Sequence, residues 1–297
     1  MTIQNPVVWS WEQIRAARAS LGADPPEAYW GEAARAKPVV VRRIGMEVIR
    51  TALAKGLEDF AANRTDVMFL CLLYPVIGFV LERLMFGAGT VEALFPVASG
   101  FAILGPIVGL GLYEMSRRHE RDGATNWRDM FGVLRSPALP RIAGLAATLI
   151  LLYLLWLVLA EVIYRATLAT IYSLDDPVPT LARFIHDTFT TPQGWAMVLI
   201  GTAAGFVCAA VAFAISVVSF PLLLDRNVGL DEAVGASLRA IRLNPGPMAA
   251  WAALIAGGLI LGSIPAFIGL IVVIPVLGHA SWHFYRQVIG AAEEKDA

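Results

Sequence analysis

The stretch IAGLAATLILLYLLWLVLAEVIY, residues 142–164, contains 23 residues and a single charged side chain, that of Glu161. An α-helix rises about 1.5 Å per residue, so roughly 20 apolar residues cross the hydrocarbon core of a bilayer. The stretch therefore predicts a membrane-spanning helix.

The composition of the whole chain agrees with this interpretation. Hydrophobic residues make up 57% of its 297 residues and charged residues only 16%, against roughly 45–50% and about 25% in soluble domains. The net charge of −1 excludes a broadly basic protein, so we expect no nucleic-acid partner. The two cysteines, Cys71 and Cys208, lie in apolar runs, which argues against a disulfide framework.

This stretch and the other apolar runs predict an all-α polytopic membrane protein with six transmembrane helices. The spans cover residues 67–86, 94–115, 142–164, 195–224, 248–264 and 266–289. Pro265 separates the last two spans, because proline interrupts the helical hydrogen-bond ladder. The predicted membrane domain is 42–289. We expect a polar, partly disordered cytoplasmic segment at 1–41 and a cytoplasmic tail at 290–297.

The distribution of basic residues predicts the orientation. Of the 23 Lys and Arg residues, only Arg83, Arg165 and Arg183 fall on one side of the six spans, and the other twenty fall on the opposite side. Because basic residues near span ends are retained in the cytoplasm, we expect both termini to be cytoplasmic.

An internal repeat is also predicted. At an offset of 169, spans two and six align Gly100 with Gly269, Pro106 with Pro275 and Gly109 with Gly278. Each odd span is preceded by a short segment with helical apolar spacing: Leu53, Leu57 and Phe60; Trp127, Met130, Phe131 and Leu134; and Leu230, Val234, Leu238 and Ile241. We predict three repeats, each an interfacial amphipathic helix with its apolar face on the bundle, followed by a transmembrane hairpin.

Small residues predict where spans two and six pack together. Gly105, Gly109 and Gly278 would allow their backbones to approach closely, while Pro106 and Pro275 would kink them.

One polar cluster within the spans is the candidate site. His279 and His283 are one helical turn apart, and the repeat places His283 opposite Glu114. We predict a cluster at the meeting of spans two and six, formed by Glu114, Arg117, Asp225, His279, His283 and Arg286. Three interpretations stay open: hydrogen bonds that fix helix packing, proton or metal handling with Glu114 or Asp225 as a third ligand, and contact with a substrate. We expect no cofactor, and we expect bound lipid.

Four runs carry a resemblance to a known family. They are GPIVGLGLYEMSRR at 105–118, PLLLDR at 221–226, NPGPM at 244–248 and GHASWHFYR at 278–286. They are similar to runs in a family of bacterial integral membrane proteins called domain of unknown function 2189, over about residues 42–288. The resemblance implies the bacterial cytoplasmic (inner) membrane. The family has no assigned activity, although some members are labelled as cytochrome c oxidase subunits.

That label can be tested against the ligands present. The chain has four histidines, and the two within spans lie on one helix, where they cannot reach opposite faces of one haem. Oxidase catalysis is therefore excluded, whereas an accessory role beside an oxidase is not.

The polar residues predict a function without catalysis. Charges cluster at the span ends and the loops are too short for a soluble catalytic domain, so we expect no enzyme. We predict an accessory or scaffold subunit whose partners are the lipid bilayer and a membrane protein such as a respiratory complex. The alternative is a transporter or channel for a small solute, protons or a metal, using His279, His283 and Glu114.

Overall fold

The computed structural model describes residues 39–71, 76, 80, 83, 91–123, 125–172, 180–265 and 267–290. The α-helices of this part are α1 (Glu47–Cys71), α2 (Leu94–Asp122), α3 (Leu139–Ala166), α4 (Leu181–Thr190), α5 (Pro192–Ser216), α6 (Ser219–Asp225), α7 (Leu230–Leu243), α8 (Pro245–Ser263) and α9 (Leu270–Val288). Short 3₁₀ helices cover Val91–Ala93, Trp127–Arg135 and Leu168–Ile171, and the strands β1 and β2 cover Val40–Val41 and Ile289–Gly290. The described fold is thus helical apart from one small ladder.

Four segments of the described chain are long and apolar enough to cross a membrane: Leu94–Asp122, Leu139–Ile171, Pro192–Asp225 and Pro245–Ser263. They correspond to predicted spans two to five. Predicted span one, 67–86, lies mostly outside the described residues. Helix α9 stands where span six was predicted but is not among the four, because its second half carries His279, His283 and Arg286. The protein is a multi-pass membrane protein by these helices, and the count of six spans stays a prediction.

Helix α1 packs along α9 through small residues. Its buried positions include Val48, Ala52 and Gly56, whereas Leu57 is 52% exposed. A Cβ atom at Gly56 would lie 2.6 Å from the backbone nitrogen of Ala280, so the two backbones nearly touch. The large apolar residues predicted to face the bundle, Leu53, Leu57 and Phe60, therefore do not form the main packing face of α1.

The same arrangement recurs in α7. The buried residues of this helix are Ala233, Ala236, Ser237 and Ala240, while Val234, Leu238 and Ile241 are only partly buried. Small side chains allow close helix approach, so larger neighbours are left at the edge of the contact.

Several of the fully buried large side chains lie at the end of the described fold that we predict to be cytoplasmic. The rings of Trp251 and Phe284 stack with centroids 4.7 Å apart, and Phe220, Leu222 and Leu224 of α6 are fully buried. By contrast, α3 and α5 expose rows of apolar residues such as Leu151 and Phe206, as expected for surfaces in contact with lipid.

Two strands join the ends of the described fold. Val40 pairs with Gly290 and Val41 with Ile289 in an antiparallel ladder. The Asn244 side chain accepts a hydrogen bond from the Ile44 amide at 2.8 Å and donates one to the Arg42 carbonyl at 2.9 Å. These bonds fix the entry to α1 against the end of α9 and the start of α8.

A short turn joins α8 to α9, as the position of Pro265 predicts. A Cβ atom at Gly269 would lie 2.8 Å from the Cα atom of Gly262, so the helices meet closely at this turn. Pro106 lies inside α2 and Pro275 inside α9. The threefold repeat itself stays a prediction.

Candidate functional site

The polar centre of the described structure is Asp59, a buried residue of α1. Ala52, Gly56 and Asp59 are spaced four and three residues apart and so share one helical face. Because Gly56 has no side chain, α1 comes close enough to α9 for the Asp59 carboxylate to reach it. The close backbone contact thus positions the acidic group.

Three side chains donate hydrogen bonds to this carboxylate. Oδ2 accepts from the Ser116 hydroxyl at 2.5 Å and from Nε2 of His283 at 2.8 Å, and Oδ1 accepts from Nδ1 of His119 at 2.7 Å. Ser116 and His119 lie on α2, and His283 lies on α9. One carboxylate therefore ties three helices together.

His279 joins the cluster through Ser116, because its Nδ1 lies 2.8 Å from the serine oxygen. The serine proton is directed at Asp59, so His279 donates its Nδ1 proton to the serine oxygen, and Nε2 is left as an acceptor. Among the described residues, this Nε2 atom is buried and has no hydrogen-bond partner. We call Asp59, Ser116, His119, His279 and His283 the Asp59 cluster.

The carboxylate is held in its charged form. Burial alone would raise the pKa of Asp59, but the hydrogen bonds from His283, Ser116 and His119 outweigh burial and lower it to about 2. The His119 side chain is 31% exposed, whereas Ser116 and His279 are almost fully buried. His119 is therefore the member of the cluster nearest to solvent.

Glu114 occupies a different place from the one predicted. It is fully buried, and its carboxylate accepts from Nε of Arg117 at 2.7 Å and from Nε of Arg118 at 2.6 Å. It lies beneath the 3₁₀ helix Trp127–Arg135, where Gly132 comes close to it. Positions two residues apart on a helix point in nearly opposite directions, so Glu114 faces away from the side of α2 that carries Ser116.

The remaining predicted members form a third group. The Asp225 carboxylate accepts a hydrogen bond from the Tyr285 hydroxyl at 2.6 Å and lies 3.4 Å from Nη1 of Arg286. Nε of Arg286 lies 3.2 Å from the Glu120 carboxylate. The structure thus brings His279 and His283 together, but it places Glu114 with Arg117, and Asp225 with Arg286, in separate ion pairs.

Sequence reasoning missed Asp59, Ser116 and His119. The available signal was the spacing of Ala52, Gly56 and Asp59, which marks a face that packs closely and carries one charge. The apolar spacing of Leu53, Leu57 and Phe60 instead predicted that the neighbouring face of α1 packs on the bundle.

The three glycines predicted to lie between spans two and six, Gly105, Gly109 and Gly278, differ in the atoms that surround them. A Cβ atom at Gly278 would collide with Leu112 of α2, so this glycine does lie between α2 and α9. At Gly109 the nearest atom would be the Tyr113 hydroxyl of the same helix, at 2.8 Å. At Gly105 no atom of the described residues would lie within 4 Å, so Gly105 makes no close contact with another described helix.

A cavity of about 110 Å³ adjoins Gly105, between α2, α5, α8 and α9. Its lining is mostly apolar but includes Tyr113, Ser216 and Ser281. The Ser281 hydroxyl donates to the Leu277 carbonyl at 2.7 Å. Within the described part of the chain, the Ser216 hydroxyl is buried without a hydrogen-bond partner.

The metal interpretation can be compared with the geometry. Over the residues that the structure describes, no three side chains of His, Cys, Asp and Glu are arranged to hold a metal ion. In the Asp59 cluster, His119 and His283 donate hydrogen bonds to the carboxylate, and His279 donates one to Ser116.

The four long apolar segments of the described fold define the class of the protein. It is a multi-pass membrane protein of helical fold. Residues 94–225 match the family described as "Predicted integral membrane protein (DUF2189)", whose function is unknown. The resemblance seen in the sequence is confirmed over that range, which contains α2 to α6. No curated protein and no solved structure matches the chain.

Proposed function

We propose that the protein is a non-catalytic accessory or scaffold subunit of a bacterial inner-membrane complex. The observation that carries the proposal is the Asp59 cluster, in which one carboxylate is engaged by donors from Ser116, His119 and His283. A catalytic or ion-carrying carboxylate needs a face open to its substrate. Asp59 instead holds α1 against α2 and α9, as a structural clamp does.

A surface suited to a partner lies over the side of α2 that carries Glu114. The 3₁₀ helix Trp127–Arg135 exposes Trp127, Phe131 and Leu134, which are 39%, 52% and 64% exposed. The prediction that these residues pack on the bundle is therefore wrong. The Trp127 and Phe131 rings meet edge to face with centroids 6.1 Å apart. Aromatic residues of this kind are enriched at protein interfaces. This surface is therefore the docking face of the proposed scaffold.

The test is purification in mild detergent, followed by crosslinking mass spectrometry and an absorption spectrum. We expect a stoichiometric membrane-protein partner crosslinked near Trp127–Arg135 and no intrinsic chromophore. Phe131→Ser should release that partner. The matched control is Ile185→Ser, which changes a similarly exposed apolar residue of α4 and should retain it. Crosslinks unaffected by Phe131→Ser would contradict the proposed docking face.

A transporter for a small neutral solute or protons is the second candidate, and the cavity beside Gly105 favours it. The unpartnered Ser216 hydroxyl gives this otherwise apolar space a hydrogen-bonding group. Purified protein in liposomes would then conduct protons or a solute. Gly105→Leu should block that flux by filling the cavity. Gly257→Leu should not, because Gly257 is not among the lining residues and no described atom would lie within 4 Å of its Cβ. Absence of flux would leave the scaffold proposal in place.

A further inference from the structure

A second cavity lies at the opposite end of the bundle from the Asp59 cluster. It has a volume of about 310 Å³ and is bordered by the 3₁₀ helix Val91–Ala93, the start of α2, and α3, α4 and α5. Phe95, Trp156, Phe184 and Phe189 give it an aromatic and apolar lining. We call it the outer groove. Its polar lining groups include Glu92 and Tyr164.

The outer groove has room for part of an acyl chain. An engineered apolar cavity of about 150 Å³ binds benzene, and this groove has about twice that volume. A Cβ atom at Gly201, which lines the groove, would have no neighbouring atom of the described residues within 4 Å. The groove is therefore open space rather than a tight seam between helices.

The charged groups Glu92, Glu161 and Arg165 interact beside the groove. Arg165 pairs with Glu161, with Nε 2.5 Å from Oε1. Glu92 is half-buried, and among the described residues its carboxylate is acted on by Glu161 and Arg165. Burial raises the pKa of Glu92, nearby Glu161 raises it further, and Arg165 offsets part of the effect. The carboxylates of Glu92 and Glu161 thus both interact with the guanidinium of Arg165. A cation beside Glu92 would neutralise the remaining negative charge of these three groups.

We infer that the outer groove binds a membrane lipid with an ammonium headgroup, its acyl chain among the aromatic residues and its ammonium beside Glu92. The outer groove is bordered by α2, α3 and α5, which are long and apolar enough to cross a membrane. Membrane lipid is therefore the occupant available to it. Glu92 precedes α2, at the end where the chain enters the membrane and where headgroups lie. Tyr164 borders the same opening, as tyrosines at membrane–water interfaces commonly do. The inference goes beyond the scaffold proposal and does not depend on it.

Native mass spectrometry of the full chain, purified from vesicles of equal phosphatidylethanolamine and phosphatidylglycerol, tests this inference. We expect phosphatidylethanolamine to be retained about tenfold more than phosphatidylglycerol, a difference of ~1.4 kcal/mol. Glu92→Gln should abolish that preference. Gly201→Leu should reduce retention of both lipids, and Gly257→Leu is its matched control, since both glycines face open space.

Four outcomes would overturn the inference. Equal retention of the two lipids, or an unchanged preference in Glu92→Gln, would remove the role of Glu92. A dimer that dissociates on Gly201→Leu would make a second copy of the chain the occupant. Crosslinks from residues 84–90 or 173–179 into the groove would make the chain its own occupant. Thermal denaturation of each variant keeps loss of the fold distinct from loss of the lipid.

Discussion

At the scale of single residues, Asp59 has the strongest predicted effect on stability. Asp59→Ala removes the acceptor for Ser116, His119 and His283 and leaves buried donors without a partner. We expect it to lower the free energy of unfolding by about 3 kcal/mol. The matched control is Glu58→Ala, because Glu58 is the exposed neighbour on α1, and it should change stability by less than about 0.5 kcal/mol. Equal effects of the two changes would show that the Asp59 cluster is not a clamp.

The pH dependence of this effect has a definite sign. The pKa of Asp59 is lowered from 3.8 to about 2, so its stabilising contribution is complete above pH 4 and is lost as the pH falls through about 2. The other titratable groups that face the same carboxylate are His119, His279 and His283.

The stability difference between the wild type and Asp59→Asn should therefore persist from pH 7 to pH 5 and shrink between about pH 4 and pH 2. Thermal denaturation in detergent across this range measures it. A difference that vanishes above pH 5 would contradict this assignment.

At the scale of elements, the contact between α1 and α9 depends on the absence of a side chain at Gly56. Gly56→Ala would place a Cβ atom 2.6 Å from the Ala280 backbone nitrogen, so the helices must separate and the Asp59 cluster must stretch. We expect a loss of about 1–3 kcal/mol in unfolding free energy. Gly257→Ala should instead be neutral or stabilising by up to about 1 kcal/mol, because alanine favours a helix and no neighbour obstructs it. Equal stability of the two variants would be the contrary result.

The elements show what sequence patterns can predict. Long apolar runs predicted α2, α3, α5 and α8, because crossing a bilayer requires length and hydrophobicity, and both can be read along the chain. The packing face of α1 could not be predicted in the same way. The face of a helix that packs on a neighbour depends on the shape of its side chains. In α1 the small residues Ala52 and Gly56 are buried, whereas the larger Leu57 is exposed.

The site was only half predictable for a related reason. His279 and His283 stood out as ionisable groups in an apolar segment, and their common face followed from the helical period. Their acid lies 224 positions away from His283, on α1, and no local spacing indicates such a partner. The repeat suggested Glu114 instead, but Glu114 turns toward Arg117 and Arg118.

At the scale of the whole molecule, the predicted orientation can be measured by cysteine labelling. In a background without Cys71 and Cys208, Arg121→Cys should react only from the cytoplasmic side and Ile185→Cys only from the other side, because basic residues mark the cytoplasmic face. Both positions are exposed. Labelling of Arg121→Cys from outside the cell would reverse the topology and, with it, the side on which the Asp59 cluster lies.

The clamp at Asp59 also sets an order of events during synthesis. Helix α1 precedes the other described helices along the chain, and α9 comes last, with β2 immediately after it. The carboxylate of Asp59 therefore meets its donors Ser116 and His119 on α2 before the chain reaches His283 on α9. A chain truncated before α9 lacks the His283 donor, and it also lacks the strand that pairs with β1.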